Sequence, residues 1–145
     1  MNETILRFGY PVTLVAEYGH WVVLLRPSQP TLGSLILAAK HEALAFSDLP
    51  PAAFAELGLA VQHIEAALGR AVGYDKINYL MLMMVDRQVH FHVIPRYEGE
   101  REASGLSIAD AGWPKAPVLG EAVELDAAQI ESLSGWLRTL WPKGQ

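Results

Sequence analysis

Two histidines, His90 and His92, stand two residues apart in the stretch QVHFHVIPR, Gln88 to Arg96. Read with a period of two, Gln88, His90, His92 and Ile94 face one way, and Val89, Phe91 and Val93 face the other. Same-face neighbours on a strand lie roughly 6.6–6.8 Å apart, which suits two imidazoles gripping one tetrahedral oxyanion such as a phosphate. Histidine is costly to bury without partners, and its charge changes near neutral pH. The pair has three chemical readings. It is a pair of satisfied core or edge histidines, or it is two metal ligands completed by a carboxylate, with Glu98 the nearest downstream. In the third, one imidazole attacks phosphorus while the other holds the phosphate oxygens.

The elements that position the pair follow from the pattern on either side. Thr13–Tyr18 and Trp21–Leu25 are rich in β-branched and aromatic residues and flank Gly19-His20, so a hairpin with a solvated His20 at its tip is expected. Leu32–Ala38, after Pro27, Pro30 and Gly33, reads as a third strand, and Lys40-His41-Glu42 as a charged loop. Ser47-Asp48 and Pro50-Pro51 open a helix whose apolar stripe is Phe54, Leu57, Val61, Ile64 and Leu68, with Gly69 and Gly73 as stops. His63 lies off that stripe, at the surface. Ile77–Val85 is nearly all apolar and reads as a central strand covered on both faces, with Met81, Met83 and Met84 as core filler. A tight turn at Asp86-Arg87 then leads into the Gln88–Ile94 strand. That hairpin sets Asn78 beside the far end of the histidine strand. No periodicity is visible over Pro95–Glu124, an extended segment expected to cover a site or pack on a second subunit. Asp126 and Gln129 form a capping box for a last helix with Ile130, Leu133, Leu137 and Leu140 on its apolar face. Strands interrupted by one long helix and closed by another give an α+β class with a mostly antiparallel sheet of about five strands, in one domain over residues 1–145 whose segment 96–145 is extended loop plus helix.

The chain has 145 residues, 51% of them hydrophobic and 19% charged, enough for one sizeable core. Its net charge of −5 argues against general electrostatic binding to nucleic acid or to acidic membranes, though not against one nucleotide in a local pocket. There is no cysteine, hence no disulfide, thiolate nucleophile or Cys-ligated zinc. The N-terminus MNETILRFGYP has no signal-peptide pattern, and no apolar run approaches the ~20 residues of a membrane helix. A cytoplasmic protein is expected.

The motif Gln88-Val89-His90-Phe91-His92-Val93-Ile94-Pro95-Arg96 resembles that of the histidine triad (HIT) proteins, His-x-His-x-His with apolar residues between. The likeness extends upstream, to the Pro/Gly turn, strand and basic loop of PTLGSLILAAKH and to the helix entry Phe46-Ser47-Asp48-Leu49. The resemblance implies a HIT-like α+β fold that pairs as a homodimer. It also implies a two-step hydrolysis or nucleotidyl transfer on substrates such as dinucleoside polyphosphates or nucleoside phosphoramidates. By position, His90 would attack the α-phosphorus to give a nucleotidyl-histidine, and His92 would bind phosphate oxygens. The backbone carbonyl of Gln88 would orient His90, and Gln88, Asn78 and Arg26 would join the substrate-binding set. No cofactor and no metal are implied. Four features depart from the pattern. Gln88 replaces the first histidine, Gly33-Ser34 stands where the family has Gly-His, and the Asp86-Arg87 turn is short. The ribose-contacting position falls on Arg26, whose guanidinium suits a phosphate better than a diol. A nucleotide-binding dimer with weak or no turnover is the alternative expectation.

Overall fold

The computed structural model describes residues 1–143; residues 144 and 145, the end of the expected domain, lie outside them. A short helix α1 (Glu3–Arg7) precedes strands β1 (Leu14–Glu17), β2 (Trp21–Leu25), β3 (Ser28–Gln29) and β4 (Leu35–Ala39). Helix α2 (Pro51–Val72) leads to β5 (Lys76–Leu80) and β6 (His90–Arg96). A hairpin of β7 (Glu100–Ala103) and β8 (Leu106–Ala109), then β9 (Val123–Glu124) and α3 (Ala127–Leu140), complete the chain.

The main sheet has five antiparallel strands in the order β1-β2-β4-β6-β5. One face packs on α2 and α3 through a core that includes Trp21, Leu35, Leu37, Ile64, Leu68, Val93 and Leu137. The other face carries a smaller cluster of Ile5, Val22, Leu24, Ile36 and Ala38, covered by α1 and the residues after it. Alternation along the strands assigns side chains to these faces, so Val89 and Val93 join the helix side and the two histidines the α1 side.

The hairpin of β1 and β2 forms as the sequence implies, and α3 carries the expected box, with Asp126 and Gln129 each bonded to the other's backbone. Gly73 ends α2 in the left-handed conformation, and its N–H reaches the Gly69 carbonyl. Gly33 (φ +92°) lets the chain pass against α2, where an added Cβ would sit 3.2 Å from Leu68.

Several expectations are corrected. β5 is an edge strand that stops at Leu80, not a central strand running to Val85, because among the described residues only β6 pairs with it. Residues Met81–Gln88 loop out instead, leaving Leu82, Met84 and Val85 exposed, so Met84 fills no core. The histidine strand accordingly spans His90–Arg96, not Gln88–Ile94. Ser47 and Asp48 belong to a short 3-10 turn and cap nothing; α2 begins behind Pro50 without a side-chain cap. The buried face of α2 is Ala53, Ala60, Ile64, Ala67, Leu68 and Val72, rotated from the predicted stripe, and Phe54 is exposed. Small alanines let the helix lie close on the sheet, a signal that counting only large apolar residues misses. His20 is half-buried and its ring stacks on His41 at 5.2 Å, with Nδ1 2.9 Å from the His41 Nε2. His63, rather than facing solvent alone, lies 2.8 Å from the Tyr18 hydroxyl. The 96–124 stretch is not plain loop, since it contains β7, β8 and β9.

Candidate active site

His90 and His92 project from β6 opposite Ala38 and Ile36 of β4, on the face away from α2. Their ring centroids are 5.2 Å apart. Both are nearly buried, at 1% and 8% exposure, yet both line an open cavity of about 260 Å³. Arg26, at the end of β2, lines it from one side. Leu82, Met83, Met84 and Val85 of the loop before β6 form an apolar wall to which Leu119 adds, and Asp86 of the same loop brings one carboxylate to the rim.

The hydrogen bonds fix the tautomer of each neutral imidazole. His90 Nδ1 lies 2.8 Å from the Gln88 carbonyl oxygen, which only accepts, so the ring proton sits on Nδ1. In the neutral ring Nε2 is then a bare lone pair, with no protein partner among the described residues. His92 Nδ1 lies 3.4 Å from Arg26 Nε, which only donates. Neutral His92 therefore carries its proton on Nε2, as a donor. The two rings thus differ in role: one offers an electron pair to the cavity and the other an N–H. Phe8, just after α1, packs on both rings, with centroids at 5.7 and 5.9 Å, and restricts their rotation.

Burial pushes His92 down to about 4, and the positive Arg26 guanidinium and His90 add to the effect. His92 is thus neutral at pH 7. The same shift bears on stability. The unfolded chain, with histidine near its ordinary 6.5, binds this proton more readily between pH 6.5 and 4. Stability is therefore complete above pH 6.5 and falls as pH drops toward 4, by about 3 kcal/mol at most for this group. Arg26→Met removes one cause, so the His92 ring signals in NMR titration should move up in pH and the acid loss of stability should shrink. An unmoved titration would contradict the assignment of Arg26 as a cause.

Arg26 is held by Nη1 bonds to the Ser28 carbonyl at 2.8 Å and the Ser28 hydroxyl at 2.6 Å. Its Nη2 has no protein acceptor among the described residues, which leaves one arm for a ligand. Gln88 contributes its carbonyl to His90, but its side chain accepts from the Thr4 hydroxyl and points at α1, away from the cavity. Asn78 pairs with Ile94 across the strands and accepts from Arg96 Nη1 at 2.9 Å. It lines a different cleft, with Lys76, Arg96, Trp113 and Lys115. So His90, His92, Arg26 and the Gln88 backbone come together, whereas the Asn78 and Gln88 side chains do not join them.

Sequence reasoning missed Phe8, which precedes the first strand and carries no periodic signal. It also missed the partner of Arg96, a buried bidentate contact with Asp110 at 2.7 and 3.0 Å. Fourteen residues separate that pair, and nothing local marks it. Glu98 lies beyond β6, exposed, with its N–H bonded to Asp75, and no group of three His, Cys, Asp or Glu side chains among the described residues is placed to hold a metal ion.

Comparison with known proteins gives the same frame. A histidine triad protein from Bradyrhizobium japonicum superposes with a TM-score of 0.72 at 22% identity, over 97% of this chain and 96% of that one. A histidine triad (HIT) protein from Sinorhizobium meliloti 1021 gives 0.73 at 26%, over 96% and 94%. The diadenosine triphosphate hydrolase of Plasmodium falciparum shares the fold at 0.65 and 10% identity, over 89% of this chain and 76% of that chain. No curated protein matches the sequence. The HIT domain family matches residues 11–99, from the first hairpin past the histidine strand, and this chain is a member of the HIT family.

Proposed function

We propose that this protein is a hydrolase or nucleotidyl transferase acting on nucleoside phosphates through a covalent intermediate on His90. The observation that carries this reading is the Nδ1 contact of His90 with the Gln88 carbonyl, which leaves Nε2 as a lone pair inside a cavity shared with His92 and Arg26. In the first step that lone pair forms a P–N bond as the bond to the leaving group breaks, and the leaving group departs with the electron pair. The imidazolium so formed keeps its proton on Nδ1, which donates it to the Gln88 carbonyl. His92 Nε2–H and the free arm of Arg26 hold the nonbridging oxygens as charge builds. Water, or another acceptor, then attacks the phosphorus as the P–N bond breaks; the electron pair of that bond returns to His90 Nε2, which leaves the ring neutral, and the proton of the attacking group passes to solvent. Glutamine at position 88 preserves the one group this scheme requires there, a backbone oxygen. The similar fold of a diadenosine triphosphate hydrolase supports the substrate class.

The second reading is a nucleotide-binding dimer with weak turnover. It is favoured by the 81–87 loop, which brings four apolar side chains and the Asp86 carboxylate to the cavity but no hydroxyl or amide donor, so the leaving group has little help. In either case the unit is one domain over 1–145 that pairs as a homodimer in the cytoplasm. Support for pairing comes from the open edge of β5 and the half-exposed aromatic group of Phe46, Phe54, Tyr79 and Phe91 beside it. No helix among the described residues is long and apolar enough to cross a membrane.

Incubation with diadenosine polyphosphates and adenosine 5′-phosphoramidate tests the two readings. Release of a nucleoside monophosphate is expected. Saturable binding with no product would favour the second reading instead.

A further inference from the structure

A second cleft, of about 540 Å³, opens beside Lys76, Asn78, Arg96, Trp113 and Lys115. Its side chains offer donors and almost no acceptors. Asn78 Oδ1 faces Arg96, which forces the amide nitrogen the other way, and that nitrogen has no acceptor among the described residues. The Trp113 indole N–H likewise has none. Of the lysines, Lys40 is paired with Glu17, whereas Lys76 and Lys115 meet no carboxylate among the described residues. Asp110 compensates Arg96, to which it is bonded twice, and its oxygens also accept from the Tyr97 and Gly112 N–H groups, so it does not reach the lysines and the excess positive charge of the cleft comes from Lys76 and Lys115. In a chain of net charge −5, this is a local basic site shaped for an acceptor-rich anion.

The cleft and the histidine cavity share one face of the sheet. His90, His92, Ile94 and Arg96 alternate onto that face of β6, and Asn78 and Lys76 of β5 sit directly opposite Ile94 and Arg96. Four residues of strand, about 13 Å, separate His92 from Arg96. The segment after β8 serves both places: Trp113 and Lys115 line the cleft, and Leu119 lines the histidine cavity.

We propose that this cleft is a second subsite, which holds the distal phosphate end of a two-ended substrate whose reacting phosphorus lies against His90. The proposal rests on the nucleotidyl-transfer reading given above. It makes the chain selective for substrates that carry phosphate on both sides of the scissile bond. The same chemistry would also take a separate phosphorylated molecule, and the test distinguishes these sources.

The test compares the parent chain with the doubly substituted Lys76→Ala/Lys115→Ala chain and with Lys115→Glu. Both lysines are exposed, so the fold is not at stake. Substrates are diadenosine tetraphosphate, which has two ends, and adenosine 5′-phosphoramidate, which has one. The ratio of their kcat/KM values should fall about tenfold in the double variant, and further with the reversed charge, as loss of charge-assisted contacts implies. An unchanged ratio overturns the proposal. So does a ratio that stays fixed while inorganic phosphate binding to the double variant disappears, since the cleft would then serve a separate phosphate. Should the parent turn over neither compound, equilibrium binding of diadenosine tetraphosphate decides: about tenfold weaker affinity in the double variant supports the subsite, and equal affinity overturns it. That outcome leaves the failure of catalysis and the failure of the subsite as separate results.

Discussion

Replacing His90 with alanine should lower turnover by about four orders of magnitude or more, the scale on which loss of a catalytic nucleophile is felt. The lone pair on Nε2 exists because the Gln88 carbonyl holds the proton on Nδ1. His92 cannot take over the role. Its Nδ1 faces the guanidinium of Arg26, so its own Nε2 carries the proton and offers no electron pair. His92→Ala should therefore cost less, about 10²- to 10³-fold, as removal of one donor to a developing oxyanion does. The order of the two effects is the informative part. Steady-state hydrolysis by the two variants, with circular dichroism to verify folding, measures it. Equal losses would contradict the division of roles between the rings.

The second large effect is on stability. Asp110→Ala should destabilise the protein by about 3–5 kcal/mol, because it leaves the Arg96 charge buried without its partner. Arg96 is 4% exposed and Asp110 9%, and two bonds join them at 2.7 and 3.0 Å. Asp110 also accepts from the N–H groups of Tyr97 and Gly112, so one carboxylate ties β6 to the segment that follows β8. The expected fall in melting temperature is about 10 °C or more for a chain of this size. Urea denaturation measures the free energy directly. The double substitution Arg96→Met/Asp110→Leu should recover much of the loss, since paired apolar groups carry no desolvation penalty. A single variant within about 1 kcal/mol of the parent would contradict the importance given to this pair.

Much of the architecture was legible because strong local patterns agreed with the tertiary environment. The β1–β2 hairpin has its two-residue turn, α3 has its box, and the alternation around His90 and His92 put both rings on one face. The errors share a cause. Apolar content alone made Ile77–Val85 a buried strand, but burial depends on what covers a segment, and among the described residues only one neighbour pairs with β5. The stripe of α2 was drawn through its large residues, whereas the close approach to the sheet runs along Ala53, Ala60 and Ala67. The site divided in the same way. The histidines, Arg26 and the Gln88 carbonyl were within reach of local spacing and resemblance. Phe8 and the Arg96–Asp110 pair were not, because they depend on contacts between segments far apart in the chain.

The covalent step itself is open to one direct measurement: intact mass and peptide mapping after rapid quenching of a turnover mixture, under conditions that spare the acid-labile P–N bond. A mass increase of one nucleotidyl group, located on His90 and absent from the His90→Ala chain, is the expected result. Turnover at full rate with no adduct, or an adduct carried by His92, would contradict it.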